Sequence, residues 1–339
     1  MYNQRIIITE IGQLKLIEEC LLELNDNEVR VKVLVTGVAF ADIMMRKGKY
    51  PGVPDTPFTP GHEVVGIVES IGRNVTSVKV GQMVAAFCKY GGYTRYIHLH
   101  EQSMLPIPTG INPYTVVAML LNYLTAYQLL FRVAKVQEGN SLLIHGAAGG
   151  VGTALLQLSQ EINLELYGTA SLKNKKKVLS MGAKYIDYQS EDFVERIATE
   201  TSNGVDFVFD SIGGYHWNRS YRTLKPNGLF VGYGLAFANQ DHVNFEEKRF
   251  MMEEWNRILT TNKTSSGHKG HFYSISKVQH VVPHSIKEDL TQLIKLLSQN
   301  KINPIISHKI PLSQAIEAHQ LFESGVDGKI LLLCNYEGE

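Results

Sequence analysis

The sequence predicts an α/β protein in which a β-rich first third precedes a doubly wound parallel sheet. Three observations carry that prediction. The run Leu142-Leu143-Ile144-His145-Gly146-Ala147-Ala148-Gly149-Gly150-Val151-Gly152 leads a short apolar strand into a glycine-dense turn, and an apolar-periodic helix follows through Leu155, Leu156 and Leu158. Strands and helices then alternate as far as Tyr233, the signature of parallel strands joined by crossover helices. Ahead of that region, Glu28–Val35 (EVRVKVLV) alternates apolar and polar residues, as a half-buried strand does.

Glu63–Ile71 and Val80–Phe87 are further strand-like runs, divided by Gly72 and Gly81. The period changes near Tyr114, and Tyr114–Phe131 reads as two helical segments. Strand Leu142–His145 is followed by helix Val151–Glu161, strand Glu165–Thr169, helix Lys175–Met181 and the short strand Tyr185–Asp187. Helix Phe193–Thr199, strand Val205–Asp210 and helix Trp217–Leu224 come next. The turn Lys225-Pro226-Asn227-Gly228 then leads into strand Leu229–Tyr233. Asp289–Asn300 is an amphipathic helix and Lys329–Cys334 a closing strand, so the tail is expected to return to the β-rich domain.

Composition excludes several classes. At 339 residues the chain exceeds one ordinary core and implies two domains. Hydrophobic residues at 44% and charged residues at 19% describe a folded globular protein. Equal numbers of basic and acidic residues, 33 each, leave a formal net charge of +0 and no electrostatic footprint for nucleic acid. Cys20, Cys88 and Cys334 are too widely spaced for a disulfide framework or a metal cluster. Met1–Arg5 lacks the apolar core of a signal peptide. Val116–Phe131, interrupted by Asn122, Thr125 and Gln128, is expected to be too short to span a bilayer. A soluble, cytoplasmic protein is the resulting expectation.

The glycine-dense turn aims the unpaired N–H groups and positive dipole end of the following helix at an anion. Its spacing is Gly146-x-x-Gly149-x-x-Gly152 with Gly150 added, and its strand-before, helix-after setting points to a dinucleotide pyrophosphate. An NAD site ends its second strand with an acidic residue that accepts from the ribose 2′-OH. Here that strand, Leu166–Leu172, ends without Asp or Glu, and Lys173-Asn174-Lys175-Lys176-Lys177 follows. A carboxylate would repel a 2′-phosphate, whereas a hydroxyl and several ammonium groups suit one, so NADPH is the expected cofactor. The lysine run also fits a solvated helix start, but the missing carboxylate is independent of that.

Several stretches occur together and in a telling order. They are Gly37-Val38-Ala39-Phe40-Ala41-Asp42 with Arg46, Gly48 and Tyr50, then Pro60–Gly66 (PGHEVVG), Leu124-Thr125-Ala126-Tyr127, the Ala147–Gly152 turn, and Asp206–Gly214 (DFVFDSIGG). With them the chain resembles the medium-chain dehydrogenase/reductase superfamily over essentially its whole length, and within it the zinc-free quinone oxidoreductases. Leu121–Tyr127 (LNYLTAY) and Gly168-Thr169-Ala170-Ser171 are most similar to the vesicle amine transport protein homologue branch. The resemblance implies a GroES-like β-barrel catalytic domain, residues 1–120 and 286–339, and a Rossmann NADPH-binding domain, residues 121–285, with the active site in the cleft between them. It also implies a homodimer, formed through an edge strand near Leu229–Gly234. NADPH contacts carry over onto Phe40, Thr125, Gly149, Gly150, Val151, Ser171, Tyr188, Ile212, Tyr233, Gly234 and Phe272, with Tyr188 beside the 2′-phosphate. The family's phosphate-binding lysine position holds Asn174, so Lys173 or Lys176 is expected to substitute.

Zinc members of the superfamily hold a catalytic ion with a thiolate, a histidine and a third ligand. His62 keeps one of those positions, but Ala39 and Leu121 stand at the others, and the four-cysteine lobe of a structural site is missing. No metal is therefore expected. His268, His271, His280 and His284 are loosely spaced in a polar loop region and lack ligand register. Without a Lewis acid, quinones and conjugated enones are the easier acceptors, because they delocalise the charge that hydride delivers.

The expected reaction is hydride transfer from NADPH to a quinone or α,β-unsaturated carbonyl, with protonation by water or Tyr50. Tyr50 reads equally well as a loop aromatic packed over the barrel. Asp42 is expected to order the turn that forms the nicotinamide wall. Ala39 stands where quinone reductases of this group often carry Asn, so one amide donor is missing. Phe250–Leu259 (FMMEEWNRIL) sets Met251, Met252, Trp255, Ile258 and Leu259 on one helical stripe. That stripe reads as a substrate lid, a partner surface, a membrane-contacting face or a helix packed on its own core. The alternative to an enzyme is an NADPH-binding protein with a non-catalytic role at a partner or membrane.

Overall fold

A computed structural model describes residues 2–50, 52–239 and 243–335 of the chain. The strands are β1 (Tyr2–Glu10), β2 (Gln13–Cys20), β3 (Glu28–Val38), β4 (Glu63–Ile71), β5 (Met83–Phe87), β6 (Tyr96–His100), β7 (Leu105–Pro106), β8 (Ser141–His145), β9 (Glu165–Ala170), β10 (Lys184–Asp187), β11 (Val205–Asp210), β12 (Leu224–Gly232), β13 (Lys269–Phe272), β14 (Ile306–Pro311) and β15 (Lys329–Leu333). The helices are α1 (Phe40–Arg46), α2 (Pro113–Tyr127), α3 (Gly150–Ser159), α4 (Lys175–Ser180), α5 (Phe193–Glu200), α6 (His216–Tyr221), α7 (Phe245–Thr261), α8 (Ile275–Val281), α9 (Pro283–Ser298) and α10 (Ala315–Ser324). The chain divides into two units, Met1–Leu124 with Lys287–Glu339, and Thr125–Ile286. The boundaries expected from the sequence were 120/121 and 285/286.

In the first unit β3 is the organising strand. One edge pairs antiparallel with β4, while the other is shared along its length by β6, at Glu28–Lys32, and β15, at Val35–Val38. The alternation read in EVRVKVLV is realised here: Val29, Val31, Val33 and Val35 are all fully buried. Val29, Val31 and Val33 form the core of this unit with Val64, Val68, Ile330 and Leu332. β5 is shorter than the predicted Val80–Phe87, because Val80 is 61% exposed and Gly81 turns with φ +82.

The second unit is a six-stranded sheet in the order β10-β9-β8-β11-β12-β13, with every neighbouring pair parallel. Leu142, Leu143 and Ile144 are fully buried, as expected of a central strand covered on both faces. The order reverses between β8 and β11. Two corrections follow. Leu229–Gly232 is not an edge: it belongs to β12, which pairs on both sides, and the edge is β13. The short polar run Lys269-Gly270-His271-Phe272 carries no strand signal of its own, and pairing with β12 creates it.

Tyr114–Phe131 also differs from the prediction of two segments. Asn112 Oδ1 caps Tyr114 N–H at 2.9 Å, and α2 runs on as a wider helical turn through Gln128–Ala134. Asn122, Thr125 and Gln128 do not interrupt it. The helical stretch Pro113–Ala134 is thus long and apolar enough to cross a membrane by length and composition, against expectation, though 67% of its apolar window is buried within the fold. In α7, Met251, Glu254 and Ile258 face the core, while Met252 is 54% and Leu259 45% exposed. Neighbours in a helix point about 100° apart, so Met251 and Met252 cannot share one stripe.

Candidate functional site

The predicted cofactor residues of the second unit gather at the carboxyl ends of its parallel strands. Gly146–Val151 follows β8, Ser171 and the lysines follow β9, Tyr188 follows β10, Ile212 follows β11, Tyr233 and Gly234 follow β12, and Phe272 closes β13. Ligands of open α/β sheets bind outside these ends where the strand order reverses, here between β8 and β11. Gly146 enters the turn at φ +68, and a Cβ on Gly152 would overlap Gly146 O and the Ala147 backbone. The helix can therefore pack tightly on the turn only if that residue is glycine. Gly149 caps α3 with no side-chain acceptor, and Gly149 and Gly150 are exposed. The first-turn N–H groups of α3 are accordingly ready for an anion, and the residues fit a dinucleotide pyrophosphate.

Beyond β9, Ser171 Oγ accepts from Asn174 Nδ2 at 3.2 Å. Lys173 and Lys176 are exposed. Lys177, which the sequence reading did not single out, donates to Ala148 O at 3.0 Å and so brings its charge to the glycine turn. Its helical position on α4 was the available signal. Tyr188 is 57% exposed. Burial pushes the Tyr233 phenol up, partly offset by its hydrogen bond with Ser211, so it stays neutral and able to donate. Phe272 is packed rather than free, 5.0 Å from the Trp255 ring and 6.1 Å from Trp217. Thr125 is 6% exposed at the start of this unit.

The first unit holds Phe40, Asp42 and Tyr50. Phe40 opens α1 and is 36% exposed. Asp42 is fully buried and accepts from Ala39 N at 2.8 Å and Gly61 N at 2.9 Å. His62 Nδ1 lies 3.1 Å from its Oδ1, and Tyr93 OH donates to its Oδ2 at 3.4 Å. Burial raises the Asp42 carboxyl, but His62, His319 and the Ala39 N–H outweigh it and hold it below the usual range. An ionised Asp42 requires the His62 proton on Nδ1, which leaves His62 Nε2 buried without a partner. Asp42 thus orders the α1 entry turn, and His62 and Tyr93 join it in one network. Tyr50 is half-buried against Ile8, Met45 and Phe58, and its ring meets His62 edge-on at 6.1 Å. A second centre pairs Glu63, read from the sequence as a structural or cleft carboxylate, with Lys329 at 2.5 Å, both buried, and Glu63 Oε2 accepts from Leu121 N at 2.7 Å.

For a zinc ion, Ala39 and Leu121 offer no lone pair beside His62. Cys88 is a protonated thiol, pushed up by burial and by Glu63 and Asp42, and it donates to Gly61 O at 3.5 Å. His268 and His271 are lowered by burial, and the His280 side chain lies outside the described residues.

Comparison with known proteins gives consistent matches. The family described as "Alcohol dehydrogenase GroES-like domain" matches residues 25–109, and that described as "Zinc-binding dehydrogenase" matches residues 181–332. The chain is 32% identical over 328 residues to the human synaptic vesicle membrane protein VAT-1 homolog, covering 92% of this chain and 80% of that one. It is 32% identical over 320 residues to the zebrafish (Danio rerio) VAT-1 homolog, covering 91% of this chain but 64% of that longer protein. The crystal structure of Escherichia coli quinone oxidoreductase complexed with NADPH superimposes with a TM-score of 0.85 at 28% identity, over 97% of this chain and 99% of that one.

Proposed function

Since the chain belongs to the medium-chain dehydrogenase/reductase superfamily, in its quinone oxidoreductase-like group, we propose that it is an NADPH-dependent, zinc-independent reductase of quinones or α,β-unsaturated carbonyls. The observation that carries this reading is the uncapped α3 N-terminus at the reversal of strand order, with no carboxylate where β9 ends at Ala170. Gly149, Gly150 and Val151 hold the pyrophosphate. Ser171, Tyr188 and Lys173 or Lys176 take the 2′-phosphate, with the Lys177 charge nearby. Thr125, Ile212, Tyr233, Gly234, Phe272 and Phe40 complete the cofactor contacts. Bound NADPH supplies the hydride. Tyr50 donates a hydrogen bond to the oxygen of the acceptor as charge develops there, and His62, oriented by Asp42, stands behind it. The donor set around His62, with Ala39 and Leu121 beside it, supports a reaction without a Lewis acid. The protein acts as a homodimer through its exposed sheet edge, which is β13, and works in the cytoplasm.

The test is NADPH oxidation by EDTA-treated protein offered an ortho-quinone and then a 2-alkenal. Turnover with NADPH and not NADH is the expected result. Ser171→Asp should lower the preference for NADPH over NADH by about tenfold to a hundredfold, by setting a carboxylate against the 2′-phosphate; an unchanged ratio of kcat/KM values would reject the assignment of that site. Tyr50→Phe should lower kcat about tenfold to a hundredfold with KM little changed, the pattern of a contact made in the transition state. Full activity in that variant would leave Tyr50 a packing residue. NADPH binding without turnover on either acceptor would favour the non-catalytic reading. The apolar line Phe245, Met252 and Leu259 on α7, each at least 45% exposed, would then be the face to examine.

A further inference from the structure

Four side chains that the cofactor reading leaves unused converge where β8 and β11 end. His145 closes β8, Asp210 closes β11, and His216 and Ser220 lie one turn apart on α6. Ser220 Oγ donates to Asp210 Oδ2 at 2.7 Å and stands 3.2 Å from His145 Nε2 and 3.5 Å from His216 Nδ1. His216 Nδ1 is 2.8 Å from Asp210 Oδ2, and the ligand atoms of His145, Asp210 and His216 all lie within 4.8 Å of one another. A tetrahedral zinc ion with bonds of roughly 2.0–2.1 Å has ligand–ligand edges of roughly 3.3–3.4 Å. The four separations of 2.7, 2.8, 3.2 and 3.5 Å bracket that edge, and an ion would widen the two shortest, which are hydrogen bonds to Asp210 Oδ2.

We propose that His145 Nε2, Asp210 Oδ2, His216 Nδ1 and Ser220 Oγ form a binding site for one divalent transition-metal ion of the zinc type. Two imidazoles and a carboxylate suit zinc or cobalt rather than the all-oxygen shells of magnesium or calcium. His145 Nδ1 lies 3.1 Å from Thr169 Oγ1, the outer hydrogen bond that turns the opposite nitrogen of a ligating histidine toward its metal. The Arg219 guanidinium, the nearest cation on α6, is paired with Asp192 at 3.0 Å. His145, Asp210 and Ser220 are buried, whereas the His216 side chain is 22% exposed. On binding, the ion takes the place of the proton that His216 Nδ1 presents to Asp210. That proton leaves to solvent or moves to Nε2. The occupied site would clamp α6 to the ends of β8 and β11, directly before the glycine turn.

The test is titration of the EDTA-stripped, dialysed full chain with Zn²⁺ alone and with Co²⁺ alone. One equivalent is expected to bind, with the visible absorption of tetrahedral cobalt, a rise in the thermal midpoint, and shifts confined to two of the imidazole ¹⁵N spin systems. His216→Ala should weaken binding by at least about a hundredfold and abolish the cobalt bands, since even outer-shell losses cost roughly 10–100-fold. Thr169→Val should weaken it by about tenfold. The metal-free stability of His216→Ala must match the parent; if it does not, the Thr169→Val titration carries the decision. Absence of saturable binding, or binding that both variants leave intact, overturns the proposal.

Discussion

Replacing Lys329 with Met should cost about 3–5 kcal/mol of stability, because it strands a buried carboxylate. Lys329 on β15 and Glu63 on β4 meet across the intervening strand β3 at 2.5 Å, with side chains 4% and 0% exposed. They can meet there because Gly37 of β3 has no side chain: a Cβ at that position would overlap both Glu63 Oε1 and Lys329 Cε. Removing the ammonium leaves Glu63 with the Leu121 N–H as its remaining partner among the described contacts. Water cannot reach the carboxylate, and one neutral donor does not compensate a full charge. The double variant Glu63→Gln, Lys329→Met should recover most of the loss, since no net charge is then buried. Urea unfolding of both variants checks this. A single variant within about 1 kcal/mol of the parent would mean that the carboxylate is solvated or protonated at little cost.

Acidification from pH 7.5 to pH 5 should destabilise the protein by about 4 kcal/mol through two buried histidines. Burial lowers His145 to about 3 and His319 to about 4, from an ordinary value of 6.5. His319 Nε2 stands 3.1 Å from Tyr93 OH, and its buried Nδ1 has no hydrogen-bond partner among the described residues, so no acceptor is in place for a second ring proton. Both pKa values are depressed, so below 6.5 the unfolded chain binds protons that the folded protein does not. Stability is therefore full above about pH 6.5 and falls as pH drops toward 4, by about 2 kcal/mol for each ring at pH 5. The buried carboxylates Asp42 and Asp210 are also lowered, so their contribution is lost only at more acidic pH. Urea unfolding at the two pH values measures the difference, and His319→Asn should remove about half of it. A flat profile, or one that steepens only below pH 4, would contradict neutral buried rings.

What could be read from residues alone followed how local the physics is. Strands Glu63–Ile71 and Val205–Asp210 run between the same residues as predicted, because each is an apolar run closed by its own turn signals. The glycine turn was legible for the same reason, since strand, turn and helix start are contiguous. The missing acid after β9 could be read because a sheet places the end of its second strand at a known position. β6, β13 and β14 were not legible. His271, Lys269, His98 and Ser307 do not announce a strand, and those segments are extended because a neighbouring strand supplies their partners.

The sites divide in the same way. The sequence by itself determined the glycine cradle and most strands and helices of the second unit, because these depend on short patterns of apolar residues and backbone freedom, and its motifs identified the fold family by resemblance. Asp42 and His62 stood in recognisable motifs, but their joint burial with Tyr93 and His319 joins residues 277 positions apart, from Asp42 to His319, and no local pattern encodes it. Lys329 reads as an ordinary exposed lysine until β15 lies beside β3 and Gly37 lets it reach Glu63. The convergence of His145, Asp210, His216 and Ser220 likewise exists only once β8 and β11 are neighbours. Tertiary structure alone decided these contacts, because burial and pairing of charge depend on distance in space, which separation along the chain does not specify.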